Sequence, residues 1–273
     1  LVIATKYSLL ARAGDPNSAG NHRKSMIQSV ETSLRRLGTD YIDLLYLHIW
    51  DGRTPVEEVM RAFDDLVRAG KVLYAGISDT PAWQIARMQT VADLRGFTPL
   101  VALQVEYSLV QRTAERDLMP MARELGLGVL PWSPLAGGVL SGKYTRADLK
   151  GESTTTPSGT RQQVAVAHGM LNARALDIAD VVKDIARESG HSPSQIALAW
   201  TMLHPAVTSP IIGARTFEQF EDNLGALEVI FTPEQRERLA RASAFELGFP
   251  HEMLQLDIVK QVMTGGLRIE SRA

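Results

Sequence analysis

The sequence predicts an α/β protein built on a parallel sheet. Short apolar runs of strand length alternate with segments of helical period along most of the chain. The alternation repeats about every 30 residues, the length of one βα unit. The connections are short, so successive strands lie parallel and are joined by right-handed crossovers. No side-chain motif recurs at fixed spacing, which makes this a repetition of architecture and not a solenoid.

Each element has its own signal. Residues 1–5, LVIAT, form an apolar run expected to be a short buried strand, and Lys6 follows it. Residues 11–22 hold Gly14, Asp15, Pro16, Asn17, Ser18 and Gly20 and read as a loop. A helix over 25–37 places Met26, Val30, Leu34 and Leu37 on one face, and Gly38 stops it. A strand over 42–47 ends at His48. Thr54-Pro55-Val56-Glu57 has the spacing of a capping box and opens a helix to about Ala69, closed by Gly70. A strand over 72–77 ends at Ser78-Asp79, and Thr80-Pro81 opens the next helix. A strand over 100–103 ends near Gln104, and Thr113 is expected to cap a helix ending at Gly126. A strand over 127–130 runs into Pro131-Trp132-Ser133-Pro134.

Residues 136–168 break the rhythm and are rich in Gly, Ser, Thr and Pro, including the 154–159 run. Long irregular segments inside compact domains commonly serve as binding loops or lids. This one is expected to be a loop over a bound cofactor and not a domain boundary, because the α/β pattern resumes after it. Helical signals follow over 176–188, after the capping box Ser192-Pro193-Ser194-Gln195, and after Thr232-Pro233-Glu234-Gln235. A strand is expected over 207–212, then Gly213-Ala214-Arg215 and a helix through Leu224. From Gly248 to Ala273 the chain reads as a tail with a short amphipathic piece over 253–263. One domain, 1–273, accommodates all of this.

Composition narrows the function classes. The chain has 273 residues, 45% hydrophobic and 22% charged, enough for one large α/β barrel or two smaller domains. A net charge of -2 gives no electrostatic case for nucleic acid or an anionic membrane. There is no cysteine, hence no disulfide framework and no thiolate metal site. No apolar run approaches the ~20 residues that span a bilayer. With no signal peptide visible, the expected location is the cytoplasm. The expected partner is a small molecule, and the sequence leaves oligomeric state open.

Several motifs are set aside. Gly137-x4-Gly142-Lys143 matches a phosphate-loop spacing, but Tyr144 stands where that motif needs Ser or Thr for Mg²⁺. No Gly-x-Gly-x-x-Gly follows a strand, so a Rossmann site is unsupported. His22, His48, His168, His191, His204 and His251 show no metal spacing. Glu57-Glu58 and Asp64-Asp65 lie on helices and read as solvated faces.

What remains is a set of polar residues at strand ends: Lys6, His48, Ser78-Asp79, Gln104, Trp132-Ser133 and Gly213-Ala214-Arg215. In a parallel α/β barrel these positions share one mouth, where function sits. The plain alternatives are a satisfied core histidine for His48, a solvated strand-end charge for Lys6 and ordinary packing for Trp132.

Together these residues resemble the aldo-keto reductase family over nearly the whole chain. The most specific pieces are Asp40-Tyr41-Ile42-Asp43-Leu44-Leu45-Tyr46-Leu47-His48, Gly76-Ile77-Ser78-Asp79, Leu103-Gln104-Val105-Glu106-Tyr107-Ser108, Pro131-Trp132-Ser133-Pro134-Leu135, and Ile212-Gly213-Ala214-Arg215 with Gln219 and Asn223. The subgroup resembled includes bacterial reductases and potassium-channel β subunits. The resemblance implies a TIM-type (β/α)8 barrel and NADPH-dependent reduction of aldehydes and ketones to alcohols.

It also implies roles. His48 orients the carbonyl oxygen by a hydrogen bond, and Lys6 lowers the pKa of a tyrosine proton donor. Ser78, Asp79 and Gln104 correspond to the clamp on the nicotinamide carboxamide, and Trp132 to the aromatic stacked on the ring. Asp79 departs from the asparagine usual there; an ionised aspartate cannot donate. Ser133, Leu135, Gly137 and Lys143 fall where the family binds pyrophosphate and ribose. Gly213, Arg215, Gln219 and Asn223 fall where it grips the adenosine 2′-phosphate and adenine, and Arg215 favours NADP(H) over NAD(H).

One departure goes further. The family's catalytic set is Asp, Tyr, Lys and His, and only Lys6 and His48 have counterparts. Only about six of the barrel's eight βα units are expected. Tyr7 adjoins Lys6, but neighbouring strand residues point to opposite faces. The Leu1 start reads as a partial reading frame or a shortened chain. The alternative to a reductase is an NADP(H)-binding regulatory subunit, or pseudoenzyme, without turnover.

Overall fold

The computed structural model describes residues 1–149 and 161–267. Five parallel strands form one sheet: β1 (Ala4–Tyr7), β2 (Ile42–Leu47), β3 (Val72–Ser78), β4 (Leu100–Glu106) and β5 (Gly128–Trp132). Each strand lies beside the one that follows it in sequence. This is the winding of a (β/α)8 barrel, here with the sheet open between β1 and β5. Helices α1 (Arg23–Leu37), α2 (Val56–Arg68), α3 (Ala82–Arg95) and α4 (Leu118–Glu124) form the crossovers. After β5 come α5 (Arg146–Leu149), α6 (Arg161–Ala167), α7 (Ala173–Ser189), α8 (Pro193–Thr201), α9 (Phe217–Leu224), α10 (Pro233–Ala242), α11 (His251–Gln255) and α12 (Asp257–Thr264).

Strand alternation splits the sheet into two faces. The outer face carries Tyr7, Leu45, Leu47, Ile77, Leu103, Val105 and Val129, which share one core with Met26 and Val30 of α1 and with Val59, Met60 and Phe63 of α2. The inner face carries Lys6, Tyr46, Gly76, Ala102 and Gln104. Gly76 is a glycine because the Tyr46 ring lies across it: a Cβ there would stand 2.6 Å from Tyr46 Cε1. Gly38 ends α1 in the left-handed conformation, its N–H donating to the Leu34 carbonyl.

The structure corrects several expectations. Leu1, Val2 and Ile3 are exposed rather than buried, and the first strand is Ala4–Tyr7, so Lys6 sits inside it. Ile3 still lies against β2, its carbonyl accepting from the Leu44 N–H, and among the described residues no strand lies on the other side. The strand expected over 207–212 pairs with β5 only at a bridge between Val129 and Val207. Around that bridge Val129 N–H donates to Ala206 O and Thr208 N–H to Val129 O. The next rung would need N–H groups from residues 131 and 210, and both are proline. Ile211 N–H reaches the Pro131 carbonyl instead, at 2.8 Å.

The box expected at Thr54 does not form. Pro55 is the N-cap of α2, without a side-chain cap, and the Thr54 hydroxyl donates to Asp51. Thr113 opens a 3-10 turn, Thr113–Glu115, and α4 starts only after Asp117. The boxes at Ser192 and Thr232 both form as expected. Asp64 is not on a solvated face: it is buried, paired with Arg68 and accepting from the Thr98 N–H.

The loop expected over 136–168 is largely helical where it is described: a 3-10 turn, Ala136–Ser141, then α5 and α6. Its apolar residues Val139, Leu140 and Ala165 are buried, which an open loop does not allow. The 154–159 run lies outside the described residues. The tail from 248 contains α11 and α12, and residues 268–273 lie outside the described part.

Candidate active site

The C-terminal ends of the strands bring most of the candidate residues to one end of the sheet. In register, Lys6 stands beside Tyr46, Tyr46 beside Gly76, Ser78 beside Gln104, and Glu106 beside Trp132. His48 follows β2 directly, and its N–H donates to the Tyr7 carbonyl at 3.1 Å. Asp79 follows β3 in the left-handed region, φ 38°, a conformation most residues avoid. Its Oδ1 accepts from Trp132 Nε1 at 3.0 Å, so the end of β3 is tied to the end of β5.

The charges here act on one another. Burial lowers the Lys6 ammonium below its usual range, with the Asp79 carboxylate opposing. Burial also lowers the His48 imidazole; Lys6 adds to that and Asp79 opposes it. The half-buried Glu106 carboxyl is raised by burial, with His168 pulling down and Asp79 pushing up. Lys6, His48, Asp79 and Glu106 thus form one electrostatic unit.

Ser78 Oγ is buried without a hydrogen-bond partner in the described structure, and the buried Tyr46 Oη has the Gln104 side chain beside it but no well-formed hydrogen bond. Burial pushes the Tyr46 hydroxyl up to about 12, the Gln104 side chain beside it acting the other way. Lys6 Nζ lies 5.9 Å from the centre of the Tyr46 ring. A buried unpaired hydroxyl costs free energy, which a bound polar group recovers. Ser78 and Gln104, side by side at adjacent strand ends, form the donor–acceptor edge that a carboxamide needs.

Tyr7 faces away from this site, as alternation predicts. Its hydroxyl donates to the Asn21 carbonyl at 3.2 Å, and its ring meets Phe63 edge-on at 6.1 Å. Burial, then Asp51 and Glu58, hold this phenol well above its ordinary value.

Past β5 the backbone turns sharply. Ser133, Ala136, Gly137 and Gly138 all have positive φ. The Ala136 N–H donates back to the Ser133 carbonyl at 2.8 Å, which closes the turn. Leu135 is half-buried and its carbonyl accepts from Gly138 N–H at 2.9 Å. Lys143 lies over Gly138, where a Cβ would come within 2.6 Å of its Nζ, and 4.9 Å from the Tyr144 ring centre. The bond from Ile211 to Pro131 places the Gly213 turn next to the end of β5. Gly213, Arg215 and Gln219 are exposed at the start of α9, while Asn223 is buried on it. Thr216 caps α9, and Gln219 Oε1 accepts from the Arg215 N–H at 3.0 Å.

Sequence reasoning missed two features. Glu106 shares the face of Tyr46, His48 and Gln104 by period two, a signal present in the sequence. The second is a latch beside His48. Asn21, fully buried, donates through Nδ2 to the Ile49 carbonyl and accepts at Oδ1 from the Asp51 N–H. Asp51 Oδ2 accepts from the Asn21 N–H, and the Ser8 hydroxyl accepts from the Ile49 N–H. Loop pairings of this kind, between residues some thirty to forty apart, leave no local signature.

Among the described residues no group of three or more His, Asp or Glu could hold a metal ion, and no helix is long and apolar enough to cross a membrane. Residues 1–244 match the family model described as "Aldo/keto reductase family". A probable aryl-alcohol dehydrogenase of Saccharomyces cerevisiae is 37% identical over 259 residues, covering 92% of this chain and 76% of the relative. A norsolorinic acid reductase of Emericella nidulans is 36% identical over 259 residues, 93% of this chain and 63% of the relative. An aryl-alcohol dehydrogenase (NADP(+)) of Phanerodontia chrysosporium is 35% identical over 261 residues, 92% of this chain and 66% of the relative.

Proposed function

The chain belongs to the aldo/keto reductase family, a family of (β/α)8-barrel oxidoreductases that use nicotinamide cofactors, and we propose that it binds NADP(H) across its strand ends and interconverts aldehydes or ketones with alcohols. The observation that carries this reading is the pairing of Ser78, whose buried hydroxyl lacks a partner, with Gln104, in a cluster that also holds Lys6, His48, Asp79 and Trp132.

In this reading Ser78, Asp79 and Gln104 hold the nicotinamide carboxamide, and Trp132 packs on the ring. Ser133, Leu135, Gly137 and Lys143 hold the pyrophosphate and ribose. Gly213, Arg215, Gln219 and Asn223 hold the adenosine end, where the Arg215 fork suits a 2′-phosphate. When bound, the cofactor supplies or accepts the hydride. His48, kept neutral by burial and Lys6, retains an N–H to donate to the carbonyl oxygen as charge builds there. Lys6, half-buried, contributes positive charge at the same place.

A second reading, an NADP(H)-binding subunit without turnover, is favoured by one observation. Neither tyrosine beside Lys6 is acidified: Tyr7 faces outward, and Tyr46 sits at about 12. Two measurements separate the readings. Titration of Trp fluorescence with NADPH and NADH tests the cofactor. NADPH consumption with a panel of aryl aldehydes, chosen because two of the relatives carry aryl-alcohol names, tests turnover. Binding with turnover supports the reductase, binding without it the subunit, and no binding of either cofactor discards both.

A further inference from the structure

Asp79 is an exposed carboxylate at the site where the cofactor reading puts the nicotinamide ring. A carboxylate differs from the isosteric amide in two ways: it carries a charge, and it cannot donate. Its Oδ1 is already engaged by Trp132 Nε1, a contact an amide oxygen would make equally well. The charge is therefore what the residue adds. Across the mouth the fixed opposite charge is Lys6, on the strand beside His48. Replacing Asp79 by its amide removes one negative charge from the mouth and leaves Lys6 and Glu106 in place.

We infer that Asp79 sets the redox-state preference of the site: its carboxylate, fixed against Trp132 and next to Ser78, offsets the Lys6 ammonium and tightens binding of the oxidised cofactor, whose nicotinamide ring is cationic, relative to the reduced one. The inference rests on the cofactor reading. The two forms of the cofactor differ in the charge of the ring, while the carboxamide they present is the same. A hydrogen-bonding role for Asp79 would affect both forms alike, and a charge role affects only one. The Trp132 contact acts with the same sign, because an acceptor on Nε1–H enriches the indole face that a cationic ring prefers. Glu106, the other carboxyl in the unit, stands beside Trp132 and is the same in both variants, so it drops out of the comparison.

The test is calorimetric titration of the whole chain and of Asp79→Asn with NADP+ and with NADPH. Asparagine tolerates positive φ, so the substitution does not disturb the turn. The expected result is a loss of roughly tenfold in affinity for NADP+ with NADPH changed less than about twofold, as expected for one unit charge near the ring at intermediate dielectric. That ratio corresponds to about 30 mV in the potential of the bound two-electron couple. Asp79→Gly, which removes the charge and accepts positive φ, should shift the ratio in the same direction. An equal change for both forms, or a loss confined to NADPH, overturns the inference and leaves the cofactor reading intact. If the unsubstituted chain binds neither form, both fall together.

Discussion

At the scale of single residues, the site carries features that a purely structural protein would not keep. Ser78 Oγ is buried and unpaired, and such a group costs stability without returning any. Ser78→Ala should therefore leave the thermal midpoint of the free protein unchanged or raise it slightly, yet weaken NADPH binding. A fall in the midpoint would mean that the hydroxyl has a structural partner. Arg215 belongs to the opposite class, an exposed cation at a capped helix start. Losing a charge-assisted phosphate contact costs about 1.5–3 kcal/mol, so Arg215→Ala should weaken NADPH about tenfold or more and NADH little. Equal losses for the two would count against the 2′-phosphate assignment.

His48 gives a signed pH prediction. Burial and Lys6 hold its folded value below the ordinary 6.5. Between 6.5 and that lower value the unfolded chain takes up a proton that the folded chain refuses, so this residue makes stability fall as pH drops through that window. An NMR titration of the imidazole should give a midpoint below 6.5, moving lower still in Asp79→Asn, because Asp79 is the charge that opposes the shift. A midpoint above 6.5 would mean that a carboxylate outweighs burial.

At the scale of elements, the Tyr46 ring lying over Gly76 fixes how β2 and β3 approach. Gly76→Ala would put a methyl 2.6 Å from Tyr46 Cε1, an overpacking that should cost about 1–3 kcal/mol in a chemical unfolding curve. An unchanged curve would show that the ring can move aside. The caps were legible in the sequence at Ser192 and Thr232, and the Ser192 hydroxyl accepts from the Gln195 N–H even while it donates to Asp222. At Thr54 the same spacing failed because α2 starts one residue later, with Pro55 as its N-cap and the Thr54 hydroxyl turned to Asp51. Strands β2, β3, β4 and β5 were legible from apolar runs, since each is buried on its outer face. The 207–212 strand was not, because what breaks it is the coincidence of Pro131 and Pro210 on facing rungs. Neither proline is informative until the register is known. His48, Lys6 and Gln104 were legible as strand-end polar residues, whereas the mutual influence of Lys6, Asp79 and Glu106 emerges only when four strands are laid side by side.

At the scale of the molecule, the open sheet determines behaviour in solution. Among the described residues β1 has no strand on one side, with Leu1, Val2 and Ile3 exposed along it, and β5 is covered on its far side by little more than the Val207 bridge. Unprotected parallel edges with apolar side chains recruit other strands. This chain should therefore self-associate with rising concentration in light scattering, and Ile3→Lys, which places a charge on the β1 edge, should reduce it. Persistence of association in that variant would move the contact elsewhere, for example to the exposed Phe217, Phe220 and Leu227 around α9. The same openness bears on turnover. Proton donation by a positioned acid contributes ~10²–10⁴-fold in rate. Among the tyrosines next to Lys6, one is turned into the outer core and the other holds its proton to about 12. NADPH oxidation by this chain with aryl aldehydes should therefore be slow even where NADPH binds well. Fast turnover would mean that Tyr46 donates in spite of that value, with the Gln104 side chain at its hydroxyl and Lys6 over its ring. Tyr46→Phe would then abolish the rate while leaving cofactor affinity in place; if the rate survives, the proton comes from another group, with His48 and Glu106 next in line.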